Sequence, residues 1–153
     1  MTLQKAFNAK TVLITGHTGF KGAWLAAWLK QLGAKVVGIA LDPPTEPSHF
    51  VAAQLADGMV DLCIDIRNQV AIEEATVSAQ PDFVFHLAAQ ALVRRSYEDP
   101  LETWQTNLLG TLNVLEALRK LDKPCTAVII TSDKCYDNVE WVWGYRETDA
   151  MGG

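Results

Sequence analysis

The sequence lacks the features that would tie it to a disulfide framework, a membrane or nucleic acid. It has three cysteines, an odd number without a CxxC pair, which indicates reduced thiols in a cytoplasmic protein: Cys63, Cys125 and Cys135. No apolar run is long enough to span a bilayer, and the N-terminus MTLQKAFNAK has no apolar core of a signal peptide. A net charge of −5 leaves no basic surface for nucleic acid. We therefore predict neither a membrane nor a nucleic-acid partner.

Metal-binding patterns are also missing. The three histidines show no ligand spacing with one another or with the cysteines: His17, His49 and His86. The sequence contains no internal repeat and no low-complexity tract. We therefore predict no metal site and a single domain over residues 1–153, because this length suffices for one hydrophobic core.

Short apolar segments alternate with helical patterns along the chain. Each segment is nearly continuous in Val, Ile and other apolar residues, as strands buried on both faces of a parallel sheet require. This predicts an α/β fold, a doubly wound parallel (Rossmann) sheet with strand order 3-2-1-4-5. The predicted strands are Thr11–Thr15, Lys35–Leu41, Val60–Asp65, Phe83–Ala88 and Thr126–Thr131.

Helical periodicity predicts the elements between these strands. The predicted helices are Phe20–Leu32, Asn68–Ala79 and Pro100–Leu121, and residues 41–50 are a proline-rich loop. Asp99 is the expected cap of the third helix, with Pro100 in its first turn and Glu102 placed to complete a capping box. Trp24 and Trp28 are predicted to lie in the core.

The segment TVLITGHTGFKGAWLAAWL, residues 11–29, is the most informative one. Gly16, Gly19 and Gly22 follow the first predicted strand, and the helix beginning at Phe20 follows directly. Glycines leave the backbone N–H groups bare at a helix N-terminus, which suits an anion such as a dinucleotide pyrophosphate. The segment therefore predicts a nicotinamide or flavin cofactor bound at Gly16, Gly19, Phe20 and Gly22; a tight turn without a ligand is the alternative.

The GxxGxxG spacing resembles that of the extended short-chain dehydrogenases. Four segments resemble the sugar-nucleotide 4,6-dehydratases of that superfamily, most closely those acting on CDP-glucose: GHTGFKG, HLAAQALVRRSYEDP, TNLLGTLNVLEA and ITSDKCYDNVEWVWGYRE. The resemblance implies an NAD-dependent lyase, a nucleotide-sugar substrate such as CDP-glucose, and a homo-oligomer in the full-length enzyme.

Cofactor choice is expected at the end of the second strand. Asp42 lies 20 residues after Gly22 and suits the ribose hydroxyls of NAD. Alignment with extended family members instead puts Ala40 at their acidic position. Asp42 then serves equally well as a turn residue before Pro43, and both interpretations stay open.

Further cofactor contacts are implied at the ends of the third and fourth strands. Asp65 would accept from the adenine amine and Ile66 would contact the ring, although a turn aspartate is the alternative for Asp65. Leu87, Ala88 and Ala89 are small or apolar, and would let the backbone approach the cofactor ribose; without the resemblance they indicate only a crowded turn.

The long third helix and its entry carry three less specific candidates. Asn107 matches an asparagine that supports the proton relay in the superfamily, or is an ordinary polar position on a helix. Arg94 and Arg95 suit a substrate phosphate, although solvated surface arginines are the favoured interpretation.

The predicted catalytic group follows the fifth strand. By resemblance, Ser132 would hydrogen-bond the sugar C4 oxygen, Asp133 would protonate the departing C6 hydroxyl, and Lys134 would occupy the base position. Related epimerases and reductases usually lack the acid after the hydroxyl residue, so Asp133 favours a dehydratase. A charged Lys134 that stabilises the enolate is the alternative role, and we favour it slightly, because a neutral lysine base would have to lose its charge through burial. An ammonium beside Asp133 would in turn favour the ionised carboxylate and oppose proton donation by that acid.

The Tyr-x-x-x-Lys pair of the family is absent from the sequence. Tyr97, Tyr136 and Tyr145 are followed four residues later by Leu, Glu and Asp. We therefore expect the cofactor-binding part of a longer enzyme, truncated before that pair and the substrate domain, and inactive alone. An epimerase or reductase of the same superfamily and a non-catalytic NAD(H)-binding module remain alternatives.

Overall fold

A computed structural model describes residues 2–152 and contains one five-stranded parallel sheet. The strands are β1 (Thr11–Thr15), β2 (Lys35–Ala40), β3 (Val60–Cys63), β4 (Phe83–His86) and β5 (Thr126–Ile129). Their order is β3-β2-β1-β4-β5, which confirms the predicted topology. Strands β2 to β5 end one or two residues before the predicted ends, because the polar turns that carry the candidate site begin there.

The helices pack on both sides of the sheet. They are α1 (Leu3–Phe7), α2 (Phe20–Gln31), α3 (His49–Ala52), α4 (Gln69–Ala79), α5 (Val93–Glu98), α6 (Pro100–Trp104) and α7 (Thr111–Leu118). The loop predicted at residues 41–50 is interrupted by the start of α3. A π-helix, Gln105–Gly110, joins α6 to α7, so the long helix predicted from Pro100 is helical but not uniform.

Side-chain caps begin both α4 and α6; the cap at Asp99 was predicted, whereas Asn68 was predicted as the first helical residue and is the cap instead. The Asn68 side chain accepts from the amide of Ala71. The Asp99 carboxylate accepts from the amide of Glu102 at 2.9 Å. The second half of the predicted capping box is replaced, because the Glu102 carboxylate accepts from Arg95 at 2.7 Å instead.

Two hydrophobic clusters cover the two faces of the sheet. Leu13, Ile39 and Val84 point to the side of α4 and α7, whereas Val12, Ile14 and Val36 point to α2. Strand β1 contributes to both clusters, because alternate residues of a central strand face opposite sides. The sheet centre is therefore fixed from both faces.

The prediction that Trp24 and Trp28 lie in the core is wrong. Helix α2 turns its small residues Ala23 and Ala26 toward the protein, since small side chains let the helix approach closely, and both tryptophans are about half exposed on its outer face. The outer residues of the segment 101–115 are exposed as well: Leu101, Trp104, Leu108, Leu112 and Leu115. Among the described residues, no helix has the length and apolar character to cross a bilayer.

Candidate cofactor and active site

The turn between β1 and α2 brings bare backbone to the carboxyl edge of the sheet. Gly16 has φ of +76° and donates its amide to the Ile39 carbonyl at 2.7 Å. A Cβ at Gly16 would come within 2.8 Å of the Ala88 amide nitrogen. A Cβ at Gly22 would overlap the Gly16 carbonyl, so both positions require glycine for close packing of the turn.

Gly19 is the N-cap of α2, a helix of 12 residues. Glycine has no side chain to satisfy the first amides of the helix, and these amides carry the positive end of the helix dipole. The turn thus presents donors and positive potential without a competing side chain. This arrangement fits the pyrophosphate of a dinucleotide.

A cleft opens where the strand order reverses, between β1 and β4. In open α/β sheets this switch point is the usual ligand site. The walls come from the glycine turn and from the ends of β2, β3 and β4, with two residues contributed by the segment 102–106. The cleft is lined by Gly16, Thr18, Gly19, Ala40, Leu41, Asp42, Pro44, Ile64, Asp65, Ile66, Arg67, Leu87, Ala88, Ala89, Gln90, Glu102 and Thr106.

Eight of the eleven predicted cofactor residues line this cleft: Gly16, Gly19, Asp42, Asp65, Ile66, Leu87, Ala88 and Ala89. The other three lie beside it. Phe20 is 77% exposed on the first turn of α2, and Gly22 is buried behind Gly16. Asn107 lies behind Gln90. The structure therefore brings the predicted set to one place, while the individual binding roles stay predictions.

Asp65 carries a partner that the sequence analysis did not identify. Arg67 donates Nε–H bonds to both carboxylate oxygens of Asp65, at 3.0 and 2.9 Å. Hydrogen bonding from Arg67 lowers the pKa of Asp65, against the opposing effect of burial. The carboxylate is thus ionised and accepts only, which suits an exocyclic amine.

Asn107 fixes the main chain of the cleft wall. Its Oδ1 accepts from the Gln90 amide at 2.8 Å, and its Nδ2 donates to the Gln90 carbonyl at 3.0 Å. The residue lies in the π-helix, which positions its side chain toward the end of β4. In the described structure Asn107 therefore acts on the backbone.

The turn also contains a buried histidine that sequence reasoning missed. His17 has no exposed surface, and its Nε2 bonds the Asp61 carboxylate on β3 at 2.8 Å. A Cβ at Gly38 in β2 would overlap the His17 ring. An isolated glycine inside the strand pattern KVVGIA was the available signal, because such a glycine often marks a close approach.

The predicted catalytic residues lie beyond β5 at the same edge of the sheet. The residues Asp133–Cys135 form a 3₁₀ turn, and the Ser132 hydroxyl accepts from the Lys134 amide at 3.2 Å. The ammonium of Lys134 lies 3.9 Å from a carboxylate oxygen of Asp133. Their side chains are 68% and 87% exposed, so all three groups face outward and none lines the cleft.

Residues 136–151 form a closed loop after this group. Tyr136 bridges to Met151, and its ring stacks on Tyr145 with centroids 5.4 Å apart. In this loop Trp141 is 47% exposed and Trp143 is 73% exposed.

The two arginines suggested for phosphate are surface residues on α5. Arg94 pairs with Glu98 at 3.1 Å, and Arg95 pairs with Glu102 at 2.7 Å. This is the favoured interpretation from the sequence. Within residues 2–152 no cluster of His, Cys, Asp and Glu forms a candidate metal site.

The family model described as GDP-mannose 4,6 dehydratase matches residues 13–152. The chain belongs to this family. The match begins inside β1 and extends over the glycine turn, the cleft and the Ser132–Lys134 segment.

Curated relatives and solved structures agree with the family. The chain is 51% identical to a CDP-glucose 4,6-dehydratase of Salmonella typhimurium over 96% of this chain and 41% of the relative. It is 36% identical to a probable dTDP-glucose 4,6-dehydratase of Sinorhizobium fredii over 71% of this chain and 31% of the relative. A Thermus thermophilus UDP-glucose 4-epimerase, solved in complex with NAD, superposes with a TM-score of 0.76 at 29% identity, covering 93% and 44% of the two chains. The chain thus spans less than half the length of these relatives.

Proposed function

We propose that the protein carrying this chain is an NAD-dependent hydro-lyase that converts CDP-glucose to CDP-4-keto-6-deoxyglucose. The proposal rests above all on one arrangement: a glycine-lined dinucleotide cleft and an acid, Asp133, directly after Ser132, at the same edge of one sheet. The 51% identity to a CDP-glucose 4,6-dehydratase supports the choice of substrate. Epimerases of the superfamily usually lack the acid.

The cleft fits NAD because its glycine turn offers backbone N–H donors without competing side chains. The turn amides would hold the pyrophosphate, Asp65 would accept from the adenine amine, and Ile66 would contact the ring. Asp42 lies in the wall and is exposed, so it is free to accept from the ribose hydroxyls. A cofactor held in this way would supply reversible hydride transfer, with hydride taken from sugar C4 and returned at C6.

The reaction needs the ketone at C4 before water leaves. A C4 carbonyl acidifies the C5 hydrogen and places the C6 hydroxyl β to it. The Ser132 hydroxyl donates to the C4 oxygen and holds the sugar in register. Asp133 then gives its proton to the C6 oxygen as the C6–O bond breaks, so the group departs as water.

Lys134 has two candidate roles in that step. As a neutral amine it would remove the C5 proton; as an ammonium it would stabilise the negative charge that develops on the C4 oxygen. In the second role the C5 proton would pass to another base of the whole protein. Lys134→Met separates these roles from a spectator role, since either role predicts a large loss of C5 solvent exchange. Exchange at the wild-type rate would contradict both.

We further propose that the protein is cytoplasmic and homo-oligomeric. The cysteines Cys63, Cys125 and Cys135 are unpaired, as a reducing compartment allows. The exposed apolar residues of α6 and α7 supply surface for association.

Incubation of the whole protein with CDP-glucose and NAD⁺ in deuterated water tests the function. We expect a 4-keto-6-deoxy product with deuterium at C5 and no net reduction of NAD⁺. A C4 epimer without deuterium would identify an epimerase instead. NAD⁺ binding with no turnover of sugar nucleotides would favour a non-catalytic binding module.

A further inference from the structure

A buried chain of hydrogen bonds runs beneath the cleft wall and centres on His86, the last residue of β4. His86 is 3% exposed. Its Nδ1 lies 2.6 Å from the hydroxyl of Thr15, and its Nε2 lies 2.9 Å from the hydroxyl of Thr111. The ring thus joins the end of β1 to the first residue of α7.

The partners determine where the protons lie. The Thr111 hydroxyl donates to the Asn107 carbonyl at 2.7 Å, and a carbonyl has no proton to give back. Since the one hydroxyl proton of Thr111 is used there, Thr111 must accept from Nε2–H of His86. In the neutral ring Nδ1 is then an acceptor, and the Thr15 hydroxyl donates to it.

Because the Thr15 hydroxyl donates its proton to His86, both lone pairs of its oxygen are free to accept from the main chain of the cleft wall. The amides of Leu87 and Ala88 both donate to the Thr15 hydroxyl at 3.2 Å. A doubly protonated His86 would bring a third donor to the same oxygen, which has two lone pairs. Burial lowers the pKa of His86 and so also favours the neutral ring.

The two ends of this chain of hydrogen bonds, at Thr15 and at Thr111, both support residues that line the cleft. On one side the Thr15 hydroxyl accepts from the Ala88 amide. Ala88 packs closely against Gly16, since a Cβ added at Gly16 would lie 2.8 Å from the Ala88 amide nitrogen. On the other side Thr111 holds the carbonyl of Asn107, whose amide group brackets the Gln90 main chain. Residues 88 and 90 are therefore held from two directions.

We infer that His86 is a positioning residue: as a neutral ring with its proton on Nε2, it fixes the Thr15 and Thr111 hydroxyls and thereby sets the cleft wall at residues 87–90 for the dinucleotide. The part that concerns the dinucleotide rests on the proposed function. The proton order and its effect on the Ala88 amide do not.

The first test reads the ring directly. The ¹⁵N chemical shifts of His86 in the protein should report a neutral ring protonated at Nε2, and the Ala88 amide should exchange slowly with solvent. A ring protonated at Nδ1, or an imidazolium at neutral pH, would overturn the inference whether or not NAD⁺ binds.

The second test compares two buried threonines. Thr15→Val removes the hydroxyl that serves the wall, whereas Thr76→Val is the matched control, since the buried Thr76 hydroxyl on α4 has no hydrogen-bond partner in the described structure. We expect Thr15→Val to speed Ala88 exchange and to weaken NAD⁺ binding about tenfold, as for loss of one buried hydrogen bond. Equal effects of the two substitutions would overturn the inference.

A third test uses partial rescue at the ring itself. In His86→Asn the side-chain amide oxygen takes the place of Nδ1 and can still accept from the Thr15 hydroxyl. His86→Leu has no polar atom, so it loses the hydrogen bonds to both Thr15 and Thr111. Asn should retain slow Ala88 exchange and most of the NAD⁺ affinity, and Leu should lose both. If the Leu variant does not fold, the Asn variant and Thr15→Val still decide. Absence of NAD⁺ binding in the wild type would refute the proposed function, while Ala88 exchange would continue to test His86.

Discussion

The cleft beside β1 and the Ser132–Lys134 turn after β5 are built in opposite ways. The cleft is a backbone structure on a buried strand, fixed by glycines, by Thr15 and by His86. The turn presents three exposed side chains whose bonds join neighbours in sequence. Substitutions at the tightly packed positions of the cleft, such as Gly16 and Gly22, should therefore change folding and cofactor affinity together, whereas substitutions in the turn should change chemistry alone.

The largest expected effect is at Asp133. In the whole protein, Asp133→Asn should lower dehydratase turnover by about 10²–10⁴-fold, because the amide has no proton to give the departing hydroxyl. Its free energy of unfolding should stay within about 0.5 kcal/mol of wild type, since the side chain is 87% exposed. Product formation and denaturant unfolding measure the two quantities. Asp122→Asn, a second exposed aspartate, is the control, and normal dehydration by Asp133→Asn would refute the assigned role.

The next effect separates packing from binding in the glycine turn. Gly22→Ala places a methyl group on the Gly16 carbonyl and should lower the free energy of unfolding by about 1–3 kcal/mol or more. At Gly19 the added Cβ meets its nearest neighbour at 3.4 Å, so Gly19→Ala should fold normally yet weaken NAD⁺ binding. Thermal unfolding and calorimetric titration measure these changes. Gly144→Ala, with open space around it, is the control; equal destabilisation of all three variants would contradict the packing account.

A smaller effect should appear as a pH dependence of stability. Burial lowers the pKa of His86 in the folded protein, so between that pKa and the ordinary value of about 6.5 the unfolded chain binds more protons. Stability is therefore complete above about pH 6.5 and declines as the pH falls below it, with a slope of at most about 1.4 kcal/mol per pH unit from this group. Denaturant unfolding from pH 5 to 8 measures it. His86→Asn should lose this part of the slope, and an unchanged slope in the variant would contradict the assignment.

The smallest effect concerns the surface pair beside the cleft. Arg67→Met should lower stability at pH 7 by less than about 1 kcal/mol, since both side chains are partly exposed and solvent screens the pair. The pair lowers the pKa of Asp65, so its contribution is present above the ordinary carboxyl pKa of about 3.9 and is lost as the pH falls through the folded value. Arg94→Met, at a 93% exposed arginine, should change stability less. An Arg67 effect that does not decline as the pH falls below the ordinary carboxyl pKa would contradict an electrostatic origin.

The sequence predicted the fold better than it predicted the side-chain partners. Strand order and the cap at Asp99 depend on local apolar runs and turn residues, and these are visible within a few positions. The bond between Thr15 and His86 joins residues 71 positions apart, and no local pattern reports it. The same holds for His17 and Asp61, 44 positions apart.

Two further differences have a common cause. The periodicity of α2 marks both tryptophans as apolar but cannot say which side of the helix faces the sheet, and the alanines took that side. The π-helix at Gln105–Gly110 is only six residues long, and the apolar residues around it still recur at helical spacing. Periodicity therefore predicts one continuous helix there. In both cases the local spacing of apolar residues does not report the difference.

The central claim is that the bare amides of the glycine turn bind the diphosphate of a nicotinamide dinucleotide. Calorimetric titration of the protein with NAD⁺, with Gly19→Ala titrated in parallel, measures this most directly. We expect saturable binding at one site per chain, weakened at least several-fold in Gly19→Ala without loss of the fold. Absence of binding, or equal affinity in the two proteins, would contradict the claim.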